Sequence, residues 1–348
     1  MCSYIWNAWK VVFVLLGGIV LFSCSQDNVD LDQLDETFFV RHKNADMPAY
    51  VKGNGTDKVF LVTLHGGPGG LGLGFQGPAF DQIEEDYAVV YFDQRGSGMS
   101  QGNYAEDDVD IDLMAEDVLA LVKVLKQRYG NDTRFFLLGH SWGGALGPAT
   151  LLKNQSDFLG WIDVNGSHDP KGLYFEYIRN FERIAAEQIE LENSIAFWES
   201  VYGVLSEVDP NTVNLDDFNR LNRTAFDAEL RLRDDAIIND PGNGGVKVSD
   251  YNPLTFLWNI QKIQSILDDD TIGKLSFTDR LPEITIPSLI LWGRYDMVVP
   301  PFYAQEAYEN LGSEEKTLVI FERSGHAPMF TEADGFAKEV LRFIDQHK

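Results

Sequence analysis

The sequence feature that most constrains this chain is a Gly-x-Ser-x-Gly pattern set between an apolar run and a helical run. The apolar run, residues 135–138, predicts the end of a buried strand. Ser141 then lies on a sharp strand-to-helix turn, where side chains at positions 139 and 143 would collide, and both positions are glycine. Such a turn places the serine hydroxyl in a cleft and leaves the Trp142 N–H free at a helix N-terminus. The pattern therefore predicts a nucleophilic serine with an oxyanion donor beside it.

Strand and helix patterns alternate along most of the chain. Mostly apolar or alternating runs predict strands at 37–43, 49–53, 58–65, 87–93, 158–165, 288–292 and 317–321. Apolar residues at helical spacing predict helices at 112–129, 145–153, 304–311 and 332–347. Strands this apolar are buried on both faces, so we expect an α/β fold with a mainly parallel sheet and helices on both faces.

The strand patterns stop between residues 172 and 278. Residues 173–202 read as one helix, and a glycine-rich break follows at 241–245. Aromatic and acidic residues are frequent in this interval. We therefore expect a helical cap at 172–278, inserted into a core domain formed by residues 37–171 and 279–348.

The remaining parts of a serine hydrolase site follow three other predicted strands. The glycine-rich loop after the strand at 58–65 exposes main-chain N–H groups, of which Gly67 or its neighbour Gly66 would be the second oxyanion donor. Asp296 and His326 each follow a late strand. The three residues occur along the chain in the order Ser141, Asp296, His326. In such a triad, His326 would take the proton of Ser141, and Asp296 would hold the imidazole tautomer.

The first 36 residues predict export from the cytoplasm. An apolar run at 11–22 is too short to span a bilayer comfortably and is typical of a signal peptide, here 1–23. The sequence ending in Cys24 resembles the lipobox of bacterial lipoproteins, which implies that Cys24 carries a lipid and anchors the protein in the cell envelope, on the outer membrane or facing the periplasm. An uncleaved anchor helix is the alternative. The polar, acidic residues 24–36 read as a tether.

The charge limits the partners of this chain. The formal net charge is −26, which repels nucleic acid and anionic membrane surfaces. We therefore expect no nucleic-acid partner, a small-molecule or peptide substrate, and membrane contact only through the lipid anchor. The sequence carries no indication of the oligomeric state.

Three motifs together resemble the proline iminopeptidase branch of the α/β-hydrolases. They are HGGPGG at 65–70, DQRGSGMS at 93–100 and GHSWGG at 139–144. The resemblance implies an α/β-hydrolase fold and removal of an N-terminal residue, typically proline, without a metal or other cofactor. It also implies acidic cap residues that bind the substrate ammonium group, and Glu199, which follows Trp198, resembles one of them. The second acidic motif of the family has no clear match, because Asp227 and Glu229 stand in a different context.

Three functions stay open at this point. The first is a lipid-anchored aminopeptidase of the iminopeptidase type, and the second is an esterase or other amide hydrolase with the same triad. The third is a ligand-binding protein that kept the fold without turnover. Enzymes with an aspartate nucleophile are disfavoured, because position 141 is serine. Glu199 has a simpler alternative as well, a solvated position on a helix face.

Overall fold

Nine strands pair into one sheet in the part of the chain that the structure describes. A computed structural model describes residues 30–105, 109–242, 251–263 and 274–348. The strands are β1 (Leu34–His42), β2 (Ala45–Gly53), β3 (Val59–Leu64), β4 (Ala88–Phe92), β5 (Gln101–Gly102), β6 (Arg134–His140), β7 (Phe158–Val164), β8 (Ser288–Gly293) and β9 (Lys316–Phe321). Their order is β1-β2-β4-β3-β6-β7-β8-β9, with β5 beside β2. Along this order, every pair from β4-β3 to β8-β9 is parallel. The pairs β1-β2 and β2-β4 are antiparallel.

Helices cover both faces of this sheet. They are α1 (Pro78–Asp86), α2 (Ile111–Tyr129), α3 (Gly143–Asn154), α4 (Pro170–Glu190), α5 (Ile195–Glu207), α6 (Leu215–Asp234), α7 (Pro253–Ile263), α8 (Phe302–Asn310), α9 (Pro328–Thr331) and α10 (Ala333–His347). Helices α1 and α10 pack together over one face, against alternate side chains of the central strands. Helices α2 and α3 pack against each other. The predicted α/β architecture with an inserted helical cap is confirmed.

Three parts of the chain differ from the sequence prediction. The helix expected over 173–202 is two helices, α4 and α5, because Glu192 and Ser194 adopt left-handed backbone angles, with φ of 58° and 38°. The helix α1 had no counterpart in the prediction. The chain from Asp32 to Lys348 forms one compact unit, and β1 begins at Leu34, within the residues expected to be a tether.

The predicted signal peptide and Cys24 lie outside the described residues, so both stay predictions. Among the helices that the structure describes, none has the length and apolar character needed to cross a membrane.

A close approach between α3 and the chain that follows β7 depends on a glycine. A Cβ atom at Gly144 would lie 2.1 Å from the Cα of Gly166, which follows β7. Main-chain atoms of this kind cannot move aside in the way that a side chain can. The position of α3, and with it the turn that precedes this helix, therefore requires a residue without a side chain.

We expect Gly144→Ala to lower the free energy of unfolding by about 1–3 kcal/mol through overpacking. Urea denaturation followed by fluorescence measures this change. The matched control is Gly203→Ala in α5, because a Cβ there meets no atom within 4 Å. The control should raise stability by about 0.5–1 kcal/mol, as expected for alanine in a helix interior. Equal stabilities of the two variants would contradict the packing argument.

Candidate active site

Ser141 occupies a strained turn between β6 and α3. Its φ is 57°, a left-handed conformation that costs a non-glycine residue about 1–3 kcal/mol. Main-chain hydrogen bonds hold the turn in place. The Ser141 N–H donates to the Val164 carbonyl at 3.1 Å, and the Ser141 carbonyl accepts from the N–H groups of Gly144 and Ser167 at 2.8 and 2.9 Å. The turn is therefore fixed by its surroundings in the conformation that presents a side chain to a cleft.

The glycines at positions 139 and 143 are required for the steric reason that the sequence predicts. A Cβ atom at Gly139 would lie 2.2 Å from the Gly143 carbonyl oxygen. A Cβ atom at Gly143 would lie 2.1 Å from the Leu64 carbonyl oxygen at the end of β3. Both clashes are with main-chain atoms, so neither glycine can be replaced without moving the turn.

The structure brings Asp296 and His326 into contact. Asp296 lies in the loop after β8, and His326 lies in the loop after β9. Because these strands are parallel neighbours, their carboxyl ends meet at one edge of the sheet. The Nδ1 atom of His326 is 2.9 Å from Oδ2 of Asp296, and the Asp296 side chain is fully buried.

Four donors surround the Asp296 carboxyl group. Oδ1 accepts the N–H groups of Val298 and Val299, both at 2.8 Å. Oδ2 accepts the Asn165 side chain at 2.5 Å as well as His326. Burial raises the pKa of Asp296, and the hydrogen bonds act in the opposite direction because they stabilise the carboxylate. Asn165 had no role in the sequence prediction; the only indication was a polar residue at the end of a buried strand.

Ser141 and His326 line one cavity of about 500 Å³. Ser141 also lines a second, smaller cavity of about 80 Å³. No hydrogen bond joins the Ser141 hydroxyl to the His326 ring, and such contacts between nucleophile and base often tighten only when substrate binds. The three predicted triad residues are thus at one site, with the serine open to both cavities.

The two predicted oxyanion donors lie beside Ser141. Gly67, with φ of 127°, lines both cavities, and Trp142 lines the smaller one. Within the described parts of the chain, neither main-chain N–H has a hydrogen-bond acceptor. Gly66 is close as well, since a Cβ there would lie 2.9 Å from the Ser141 Cβ. Main-chain donors without an acceptor are thus present beside Ser141, as an oxyanion site requires.

Three histidines line the larger cavity, and burial keeps all of them neutral at neutral pH. Burial lowers the pKa of His65 and His326 to about 4 and that of His140 to about 3. The His140 ring lies 4.7 Å from the His326 ring, and its Nε2 atom donates to the His326 carbonyl at 2.8 Å. An uncharged His140 does not repel a proton that His326 would accept.

Glu199 lies apart from these residues. It is exposed on α5 and lines neither of the two cavities that contain Ser141. Its role as an amine site stays a prediction. Among the described residues, no cluster of three His, Cys, Asp or Glu side chains could hold a metal ion.

Glu229 of α6 is a functional candidate that the sequence did not place at the site. Its Oε1 atom accepts the His326 N–H at 2.9 Å and the Met297 N–H at 3.0 Å. One carboxyl group thereby ties together the loops that carry His326 and Asp296. The available sequence indication was an acidic residue on the buried stripe of a helix, one turn after Ala225.

We expect the titration of Glu229 to appear in the pH dependence of stability. Burial raises the pKa of Glu229 from 4.5 to about 7. Between these values the folded chain holds a proton that the unfolded chain has lost, so the contribution of Glu229 to stability falls as pH rises. Glutamine does not titrate. The stability of the wild type relative to Glu229→Gln should therefore fall by about 1–3 kcal/mol between pH 5 and pH 8.

Urea denaturation of both proteins at the two pH values measures this difference. Asp227→Asn, which removes an exposed acid two residues earlier on the same helix, is the control and should follow the wild type. A constant difference between wild type and Glu229→Gln across this range would contradict the shifted pKa.

Comparisons with known proteins agree with this geometry. The model of the "Alpha/beta hydrolase family" matches residues 61–339. A proline iminopeptidase of Saccharolobus solfataricus is 30% identical over 301 residues, which cover 82% of this chain and 84% of that protein.

Solved structures share the fold. A proline iminopeptidase-related protein from Thermus thermophilus superposes with a TM-score of 0.62 at 18% identity, covering 90% of this chain and 98% of that one. An esterase from Exiguobacterium antarcticum gives a TM-score of 0.56 at 21% identity, covering 89% and 100%. From the extent of the family match and this similarity, the chain is an enzyme of the α/β-hydrolase family and resembles the proline iminopeptidases.

Proposed function

We propose that this enzyme is a serine hydrolase that releases an N-terminal residue, of the proline type, from peptides. One observation carries the proposal: the strained Ser141 shares a cavity with His326, which is hydrogen-bonded to the buried Asp296. This is the arrangement of nucleophile, base and orienting acid that acyl transfer requires.

The proposed chemistry follows from these contacts. His326 takes the Ser141 proton on Nε2 as the serine oxygen attacks the scissile carbonyl carbon. Asp296 keeps the proton on Nδ1 of His326 and stabilises the positive charge of the ring. The N–H groups of Gly67 and Trp142 bind the oxyanion of the tetrahedral intermediate. His326 then protonates the leaving amine, and water hydrolyses the acyl-enzyme by the same steps.

The two cavities suggest how a substrate would lie. The smaller cavity has apolar walls that include Leu173, Phe218 and Val298, and its volume suits a small apolar residue such as proline. The larger cavity is the more open of the two and would receive the rest of the peptide. The similarity to a proline iminopeptidase supports proline as the residue that is released.

An esterase or another amide hydrolase is the second candidate, and a specific observation favours it. No acidic side chain of the described residues lines either cavity that contains Ser141. A free substrate ammonium would therefore have no carboxylate partner at the cavity walls, whereas an ester or an N-blocked amide needs none. An esterase from Exiguobacterium antarcticum shares the fold.

The proposal includes attachment to the bacterial cell envelope through a lipid on Cys24. Its support is the apolar run at 11–22 and the lipobox-like sequence that follows.

We expect a fluorophosphonate to label the wild type and not Ser141→Ala. His326→Ala should lose several orders of magnitude in turnover with its folding preserved. Gel fluorescence measures labelling, and a chromogenic ester measures turnover.

Ser206→Ala and His347→Ala, which alter residues of α5 and α10 outside both cavities, are the controls and should behave as the wild type. Labelling of Ser141→Ala would exclude this nucleophile, and an unlabelled wild type would favour a non-catalytic ligand-binding protein.

A substrate panel separates the two hydrolase functions. Proline, alanine and leucine anilides with free amines are compared with N-blocked anilides and short acyl esters. We expect the proline anilide to give the highest kcat/KM, and Glu199→Gln to raise KM for free-amine substrates only. Cleavage of esters without cleavage of any anilide would favour the esterase. An equal effect of Glu199→Gln on blocked and free substrates would exclude Glu199 as the amine site.

A further inference from the structure

A separate cleft of about 430 Å³ lies between α4, the loop after β8 and the start of α8. None of its lining residues lines either cavity that contains Ser141. Its volume is within the range of small-molecule sites in proteins. The cleft is therefore a candidate for a second ligand, one that does not have to be the substrate.

The walls of the cleft carry an unusual charge for this chain. Three arginines, Arg179, Arg183 and Arg294, line it together with one acid, Glu176, although the protein has a net charge of −26. Glu176 pairs with Arg179, which leaves Arg183 and Arg294 as the positive charge of the wall without an acidic partner in the lining. Burial lowers the pKa of Arg183, Glu187 raises it, and the positive charge of Arg294 lowers it again. Two guanidinium groups from different elements are thus close enough to repel each other, and an anion placed between them would remove that repulsion.

The existing ion-pair partners of Arg183 and Arg294 leave room for such an anion. Arg294 pairs with Glu322 at 2.6 Å, and Arg183 approaches Glu187 at 3.8 Å. The four side chains are each about one-third to two-thirds exposed, and ion pairs at that exposure contribute little to stability. They can be exchanged for a bound anion at small cost.

A buried residue fixes one of the guanidinium groups. Asn180, which is 6% exposed, accepts a hydrogen bond from Nη2 of Arg183 at 2.7 Å through its Oδ1 atom. The amide nitrogen of Asn180 donates to the Asp296 carbonyl at 3.0 Å, so the orientation of Asn180 is itself set. Arg183 is therefore held in place before any ligand arrives, which reduces the entropy cost of binding.

Apolar side chains lie beside the arginines. Phe302 is 49% exposed and Ile320 is 36% exposed, and both line the cleft together with Pro300. Exposed apolar surface next to the guanidinium groups of Arg183 and Arg294 fits a ligand with an anionic head and an apolar tail.

We propose that this cleft binds a small organic anion, a carboxylate or phosphate monoester that carries a short apolar group. Arg183 and Arg294 hold the anionic head, because a planar guanidinium binds such groups through two parallel hydrogen bonds. Phe302 and Ile320 cover the apolar tail.

Calorimetric titration of the full chain carrying Ser141→Ala tests this site without any turnover. The probes are hexanoate and hexyl phosphate, with neutral hexanamide as the matched control. We expect at least one anion to bind, hexanamide to bind at least about tenfold more weakly, and higher salt to weaken the anion. The tighter of the two anions identifies the head group.

Arginine variants locate the bound anion. Arg183→Gln and Arg294→Gln, each added to Ser141→Ala, should weaken binding of the anion at least about tenfold. Arg220→Gln is the control, since this arginine of α6 pairs with Glu207 and does not line the cleft. Thermal unfolding checks that the variants fold, and Arg183→Lys, which keeps the charge without the planar fork, provides a second test with intermediate affinity expected.

Three results would overturn the proposal: no binding of either anion, equal binding of hexanamide, or full affinity in both arginine variants. The last result would place the anion elsewhere, including the cavities beside Ser141. Because binding is measured in a protein without the serine, failure of the serine hydrolase function would leave this result unaffected.

Discussion

The close contact of one strand-to-helix turn with its neighbouring strands is the constraint on which the rest of this structure depends. The glycines around Ser141 allow main-chain atoms of β3, β6 and α3 to meet at distances that a Cβ atom would make impossible. Hydrogen bonds of the Ser141 N–H and of the Ser141 carbonyl then hold this residue at a φ of 57°. The strain is local, and it is maintained because β6, which leads into the turn, pairs with β3 on one side and with β7 on the other.

Burial of carboxyl groups is the second constraint. Asp296, in the loop after β8, and Glu229, on α6, lie close together, and burial raises the pKa of both. Main-chain N–H groups compensate for the lost hydration, two on each carboxyl group. The same hydrogen bonds fix the loops that carry His326 and Asp296. The inserted helices thus help to position the loops that carry the proposed catalytic residues, since Glu229 belongs to α6 and Asn180 to α4.

The chemistry and the selectivity of this enzyme have different origins in the fold. The proposed triad comes from the carboxyl ends of parallel strands, a position common to α/β folds. The walls of the smaller cavity come largely from the inserted helices and the loop after β8, including Tyr177, Phe218 and Val298. Among the described residues, no acidic side chain lines either cavity that contains Ser141, and Glu199 is exposed outside both. The smaller cavity, which is proposed to hold the terminal residue of the substrate, is therefore formed largely by the part of the chain whose sequence pattern is the least specific.

The sequence by itself determined the alternation of strands and helices, the turn at Ser141, and the placement of Asp296 and His326 after late strands. These are local properties: apolar periodicity fixes buried strands, and glycines mark turns that admit no side chain. Tertiary structure alone decided that Asn165 and Glu229 complete the site, that Glu199 is exposed, and that Arg183 and Arg294 share a cleft. Those relations join residues far apart in the chain. Packing and charge compensation across the whole molecule decide which face of a helix contacts which loop. A local sequence pattern does not predict such a contact.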